Sequence, residues 1–161
     1  MSHAALFPLL ADIDNLPATL EMLARLLLAM IGGASLGWDR LMRDKPAGIR
    51  THMLVSLGAA VAMLATLKLS GPNWTAEGPL QSEASRVIAG IVGGVGFLGA
   101  GAIIKEGASV HGITTAASIW VAATLGMASA LGQYTLAVAG VLLTLFVLRA
   151  VAVIEERLVK R

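Results

Sequence analysis

Five long apolar stretches, separated by short polar connections, set the pattern of the chain. They cover about residues 18–37, 51–69, 86–104, 113–131 and 134–154. Each is close to the roughly 20 apolar residues that an α-helix needs to cross a bilayer. The pattern therefore predicts an all-α polytopic membrane protein with five transmembrane helices.

Parts of this pattern occur twice. The segment RLLLAMIGGAS (25–35) matches RVIAGIVGGVG (86–96), and GIRT (48–51) before the second stretch matches GITT (112–115) before the fourth. A duplication would give two helical hairpins that run in parallel, related by an axis along the membrane normal, with the fifth helix alone. Chance similarity between helices rich in glycine and alanine is the other explanation.

Glycine dominates the third stretch. In lipid, small residues let helix backbones approach closely, and Gly90-x-x-x-Gly94 is one such face. The same stretch contains GVGFLG (94–99), but this motif binds dinucleotides only after a strand, at the start of a helix and with a later acidic residue. We predict helix packing, without a bound cofactor, at Gly90, Gly93, Gly94, Gly96, Gly99 and Gly101.

Composition supports an integral membrane protein. Of the 161 residues, 57% are hydrophobic and 14% are charged, whereas charged residues alone approach about a quarter of a soluble domain. The mean hydropathy is +0.79. Cysteine is absent, which excludes disulfides and cysteine metal sites. The first 20 residues lack a basic start and contain Pro8 and Pro17, so we expect no cleaved signal peptide.

The positive charges occupy alternate connections and so predict the orientation. They are Arg40, Arg43, Lys45 and Arg50 after the first span, Lys105 after the third, and Arg157, Lys160 and Arg161 after the fifth. Connections rich in lysine and arginine stay in the cytoplasm. We therefore predict an extracytoplasmic N-terminal segment (1–17), a transmembrane domain (18–154) and a cytoplasmic tail (155–161).

Two arginines lie inside predicted spans at matching positions of the repeat. Arg25 and Arg86 are near the outer ends of the first and third spans, and Glu21 and Glu83 precede them within reach on a helix face. An arginine at the bilayer centre costs at least about 2.5 kcal/mol, so such residues find water or a partner. Either they extend to the surface and form local ion pairs, or they line a polar vestibule between the hairpins.

Polar residues also gather where the first span ends and the second and fourth begin. Thr51 is expected to cap the second helix, and Thr114 or Thr115 the fourth. Two capped helix N-termini with basic residues beside them would form a site for phosphate or a carboxylate. Ordinary capping combined with positive-inside topology is the alternative. The candidate residues are Asp39, Arg40, Arg50, Thr51, His52, Thr114 and Thr115.

The sequence carries no signature of an enzyme. The three histidines are scattered, and no serine stands in a nucleophile motif. Magnesium prefers carboxylate oxygens and water, and Asp39, Asp44 and Glu106 form no known binding loop. We expect no catalytic residue, no metal site, no cofactor and no nucleic-acid partner, and we expect the lipid bilayer as the surroundings.

Four ordered motifs resemble the MgtC/SapB family of membrane proteins. They are Asp39-Arg40, KPAGIRTHMLV (45–55), GVGFLGAGAI (94–103) and TTAASIW (114–120). The resemblance covers about residues 20–154. It implies a bacterial inner-membrane protein tied to growth in low magnesium and to virulence. We expect a short, SapB-like member without the soluble C-terminal domain of longer relatives, and note that the family usually has Glu-Arg where Asp39-Arg40 stands.

Two functions remain open at this point. In the first, the protein is a regulatory module for magnesium or phosphate homeostasis that binds other membrane proteins through glycine-rich helix faces. The resemblance implies an F-type ATP synthase or an ion-transporting ATPase as the partner, and we expect a homo-oligomer such as a dimer. In the second, it is a small transporter or channel for an ion or phosphate.

Overall fold

The computed structural model describes residues 16–69 and 79–159, with side chains for all of these except 79–83, 155–156 and 158–159. Within these ranges, five helices are long and apolar enough to cross a membrane. The helices are α1 (Leu16–Met42), α2 (Ile49–Leu69), α3 (Pro79–Gly101), α4 (Ile113–Ala130) and α5 (Tyr134–Phe146), the last continuing through a π-helical turn (Val147–Val151) into α6 (Ala152–Val159). The predicted all-α fold with five spans is confirmed.

Helix α4 is the centre of the bundle. It packs against α1, α2, α3 and α5, and 61% of its residues are buried, compared with 6% of the fifth span (Tyr134–Ile154). Helices α1 and α3 are not among the closely packed pairs of the described chain. The first helices of the two hairpins therefore lie apart, with α2 and α4 between them.

Glycines hold the central helices close together. A Cβ at Gly33 would lie 2.5 Å from the backbone oxygen of His52, and one at Gly37 would lie 2.5 Å from Ile49 Cα. Gly126 of α4 meets the backbone of Ser56 in the same way. Because a side chain at these positions would collide with backbone, glycine is what allows α1, α2 and α4 to approach each other.

The glycines of α3 are placed differently. Gly99 is in a helix contact, since its Cβ would lie 3.5 Å from Ala116 Cβ on α4. We call the remaining positions, at which a Cβ would have no described atom within 4 Å, the glycine face: Gly90, Gly93, Gly94, Gly96 and Gly101. No described helix of this chain packs on the glycine face. The predicted packing at these glycines would therefore need a neighbouring molecule, and it stays a prediction.

Two helix boundaries differ from the predicted spans. Helix α1 continues to Met42, so Asp39 and Arg40 belong to its last turns instead of a connection. Helix α3 ends at Gly101, and a small antiparallel hairpin follows, β1 (Ile104–Glu106) and β2 (Ser109–His111). Gly107 has φ +60°, as the first residue of a type II′ turn requires.

An apolar layer lies between the middle of the bundle and the end opposite the polar side chains of α1. Its fully buried members are Ala29, Ala60, Met63 and Ala130, contributed by three different helices. Leu26, Leu64 and Leu67 pack against them. The layer separates Arg25, near the start of α1, from the polar side chains near the end of α1.

The predicted terminal segments fall mostly outside the described residues. Residues 1–15 and 160–161 are not described. Within the described part, α1 already begins at Leu16 and α6 extends to Val159. The predicted domain boundaries at 17 and 155 therefore remain predictions.

Candidate functional site: a buried polar cluster at the basic end

Six polar side chains are buried together where α1 ends and α2 and α4 begin. We call this end of the bundle the basic end, after Arg43, Lys45 and Arg50 in and beside its α1–α2 loop. The polar cluster, with each member at most 4% exposed, consists of Asp39, Arg40, His52, Ser56, Thr115 and Ser118. Buried polar groups cost free energy unless they are hydrogen-bonded, so their partners define what the cluster does.

Arg40 links α1 to α4. Its Nη2 donates to Thr115 Oγ1 over 2.6 Å, and both side chains are buried. The sequence placed Arg40 in a connection and Thr115 or Thr114 at a helix cap, and both expectations are wrong. Helix α4 is capped by Gly112, at φ 89°, without a side-chain hydrogen bond, which leaves the Thr115 hydroxyl available to Arg40.

His52 links α2 to α4. The ring is fully buried, with Nδ1 3.0 Å from Gly48 O and Nε2 3.0 Å from Ser118 Oγ. A carbonyl oxygen only accepts, so Nδ1 carries a proton and donates to it. The Ser118 hydroxyl also lies 2.8 Å from Thr115 O, so its single proton has two possible acceptors.

Ser56 completes the connection of α2 to α1. Its hydroxyl donates to Ala29 O over 2.7 Å, one turn beyond His52 toward the apolar layer. Sequence analysis did not single out Ser56 or Ser118, because a lone serine in an apolar span is usually satisfied within its own helix. In this bundle Ser56 donates to another helix, and Ser118 contacts His52 of α2 in addition to Thr115 O of its own helix.

Asp39 is the carboxylate of the cluster, and two arginines reach it. Arg149 Nε donates to Asp39 Oδ1 over 2.8 Å, and Arg43 Nε lies 3.3 Å from Oδ2. Arg149 stands in the π-helical turn, a type of irregularity that often occurs at functional sites. Sequence analysis missed Arg149, although a single ionisable residue inside an apolar span is itself a signal.

Two buried polar atoms of the cluster have no hydrogen-bond partner among the described residues. They are Arg40 Nε and Asp39 Oδ2. Arg40 Nε is thus a donor without an acceptor, and Asp39 Oδ2 has only its ion pair with Arg43. Three arginines, Arg40, Arg43 and Arg149, outnumber the single carboxylate. The cluster is thus positively charged and is better suited to an anion than to a divalent cation.

The residues of the predicted anion site fall into two groups, one buried in the bundle and one exposed at its surface. His52 and Thr115 point into the bundle and are occupied by protein partners. Arg50, Thr51 and Thr114 are exposed. Thr51 does not cap α2, since that helix already begins at Ile49. The structure brings Asp39, Arg40, His52 and Thr115 together, and it leaves the other three at the surface.

Comparison with known proteins shows which family the chain belongs to. The sequence pattern of the MgtC family matches residues 26–157, which include the whole polar cluster and Arg149. The chain belongs to the MgtC family. No solved structure matches it.

Two named relatives of this MgtC-family chain are longer proteins. It is 38% identical over 143 residues to the "Putative magnesium transporter YhiD" of Escherichia coli, covering 89% of this chain and 66% of that protein. It is 40% identical over 120 residues to the "Protein MgtC" of Salmonella typhimurium, covering 74% of this chain and 48% of that protein. The chain therefore spans about half to two thirds of these relatives.

At the opposite end of the bundle, Arg25 lies one residue before the MgtC-family match. Its Nη1 donates to Ala130 O over 2.7 Å, and Nη2 pairs with Glu21, which is the local ion pair of one of the two alternatives that the sequence left open. Arg86 is exposed on α3, and the side chain of Glu83 lies outside the described residues. Arg25 thus links α1 to the end of α4, and the shared vestibule with Arg86 stays a hypothesis.

Proposed function

We propose that this chain is a regulatory membrane module of magnesium handling, which acts by binding other membrane proteins through the glycine face of α3. The observation that carries the proposal is that five glycines of a membrane-spanning helix have no described neighbour within 4 Å of a Cβ position. A lipid-facing helix gains nothing from glycine, which offers no apolar side chain, whereas an adjacent helix can pack closely on it.

The surroundings of the glycine face fit a helix partner. Phe97, between Gly94 and Gly101 on the same side of α3, is 80% exposed. Only 17% of the residues in Ala84–Gly101 are buried. A second copy of the chain would match this face, and so would a transmembrane helix of an F-type ATP synthase or an ion-transporting ATPase, the partners that the family resemblance implies.

The polar cluster argues against magnesium conduction by the single chain. Within the described residues, no group of three or more histidine, aspartate or glutamate side chains converges to hold a metal. Asp39 is held by Arg149 and Arg43, and positive charges at this distance repel a divalent cation. The apolar layer lies between this cluster and the opposite side of the bundle.

The test of the proposal is a leucine substitution on the glycine face. Gly94→Leu is expected to reduce self-association or partner capture by about tenfold or more, because a bulky side chain separates the helices, while unfolding of the single chain stays within about 1 kcal/mol of wild type. Ala139→Leu, on the exposed side of α5, serves as the matched control. Crosslinking in the membrane and co-purification give the readout, and unchanged association of Gly94→Leu contradicts the proposal.

Transport is the second candidate, favoured by the name of the Escherichia coli relative. Flux measurements on purified protein in liposomes distinguish transport from the regulatory function. Magnesium or phosphate flux that disappears in Asp39→Asn supports transport through the polar cluster. Absence of flux, together with association lost in Gly94→Leu, supports regulation.

We also propose that the basic end faces the cytoplasm of a bacterial inner membrane, with the N-terminus outside. The support is the distribution of lysine and arginine between alternate connections. Five spans place the two ends of the described chain on opposite sides of the bilayer.

A further inference from the structure

A groove runs along the seam between α1 and α5, and none of its lining residues belongs to α3, which carries the glycine face. It has a volume of about 120 Å³ and is lined mainly by apolar side chains. Ile31, Gly32 and Ser35 contribute from α1, and Val138 and Leu142 contribute from α5. Gly32 keeps the floor open, because a Cβ there would come within 3.4 Å of Val141.

The groove leads to the charged end of the same seam. Ser35 precedes Asp39 by one helical turn on the same face of α1, a distance of about 6 Å. Leu142 precedes Arg149 on α5 by about two turns, or about 10 Å. The Asp39–Arg149 contact therefore lies on the same seam, one to two helical turns beyond the groove toward the basic end of the bundle.

Positive charge remains available at this point. Asp39 is 3% exposed and carries one negative charge, which faces both Arg43 and Arg149. The Arg149 side chain is 58% exposed and that of Arg43 is 30% exposed. Because one carboxylate does not neutralise two guanidinium groups, the seam presents an excess of positive charge to its surroundings.

We infer that this seam binds an anionic phospholipid, with an acyl chain in the α1–α5 groove and the headgroup phosphate on Arg149 and Arg43. The apolar groove lies on the hydrocarbon side. Arg43 lies just beyond the end of α1, and Arg149 lies inside the fifth span close to its end at Ile154, from where its long side chain can extend toward the headgroups. Each basic residue near an anionic lipid surface contributes about 1 kcal/mol, or about fivefold in affinity. The inference does not depend on the proposed function, since it concerns a different face.

Native mass spectrometry of the full chain with added lipid tests the inference. Phosphatidylglycerol is expected to bind about 25-fold more tightly than phosphatidylcholine, from about fivefold for each of Arg43 and Arg149. Arg149→Gln should lower the affinity for phosphatidylglycerol about fivefold and leave the affinity for phosphatidylcholine unchanged. The control is Arg50→Gln, which replaces an exposed arginine at the same end of the bundle but off the seam. Its affinity for phosphatidylglycerol should stay within about twofold of wild type.

The groove is tested separately by two valine substitutions. Val138 lines the groove and is 49% exposed, whereas Val61 lies on α2 and is 50% exposed. Val138→Trp should weaken the binding of both lipids, because the indole fills the groove. Val61→Trp should weaken the binding of neither. This arm leaves the arginines intact, so it remains informative if Arg149→Gln does not fold.

Three results of the lipid measurements would overturn the inference. They are equal binding of the two lipids, an equal loss in Arg50→Gln and Arg149→Gln, and unchanged binding in Val138→Trp. Inorganic phosphate distinguishes the source of the anion. If it displaces phosphatidylglycerol completely, the arginines bind a soluble anion and the lipid assignment fails; if it does not, the acyl chain is part of recognition. Arg149→Lys keeps the charge and should retain phosphatidylglycerol binding within about twofold.

Discussion

At the scale of single residues, the Asp39–Arg149 contact fastens the outermost helix to the bundle. Removing Arg149 leaves Asp39 buried with Arg43 alone, at 3.3 Å. Breaking a fully buried pair costs about 3–5 kcal/mol, and exposure of Arg149 reduces this. We therefore expect Arg149→Gln to lower the free energy of unfolding in detergent by about 1–2 kcal/mol.

A double-mutant cycle shows whether the loss belongs to the pair. Asp39→Asn removes the charge that Arg149 compensates, so the two substitutions together should cost less than their sum, by about 1 kcal/mol. Arg50→Gln, which removes an exposed arginine, should stay within about 0.5 kcal/mol of wild type. Strict additivity of Asp39→Asn and Arg149→Gln would mean that the contact contributes nothing to stability.

The sequence identified four of the six members of the polar cluster and could not assign their contacts. Asp39, Arg40 and His52 are unusual residues beside apolar spans, so they were found, and Thr115 was found through the repeat. The contacts between them were not predicted, because Arg40 and Thr115 are far apart in the chain and meet only through helix packing. Arg149 was missed for the same reason, since its partner Asp39 lies on another helix.

At the scale of helices, the two halves of the repeat use equivalent glycines differently. Gly33 and Gly94 occupy matching positions, yet a Cβ at Gly33 would lie 2.5 Å from His52 O and one at Gly94 would meet no described atom within 4 Å. We expect Gly33→Ala to destabilise the chain by about 1–3 kcal/mol through overpacking. Gly94→Ala should change stability by less than about 1 kcal/mol.

Unfolding of both variants in detergent gives the comparison. The variants carry the same chemical change in two helices of similar hydropathy, so a difference between them measures the helix contact alone. Equal stabilities would show that α1 and α2 shift apart to accommodate the added methyl group, and would remove Gly33 as a packing determinant.

Element boundaries show where sequence reasoning reaches its limit. The spans were predictable because a membrane requires long apolar helices with all backbone groups bonded internally. The β1–β2 hairpin was not predictable, because each strand has only three residues, all of them exposed, which is too short for a periodic pattern to stand out. The continuation of α1 through Asp39 and Arg40 was also missed, since a charged pair looks like a connection until its partners are known.

At the scale of the whole molecule, orientation is the property that labelling can establish. The chain contains no cysteine, so Gln133→Cys and Lys45→Cys each introduce a single thiol at an exposed position on opposite ends of the bundle. We expect an impermeant maleimide to label Gln133→Cys in intact cells and Lys45→Cys only after permeabilisation. Labelling in the reverse order would place the basic end outside.

The apolar layer determines how a membrane voltage acts on the bundle. Moving one elementary charge through the full potential is worth about 2.3 kcal/mol per 100 mV. Arg25 lies on one side of Ala29, Ala60, Met63 and Ala130, and the polar cluster lies on the other. These four residues carry no charge on which a voltage could act, so we expect any response of the bundle to depolarisation to come from Arg25 or from the polar cluster.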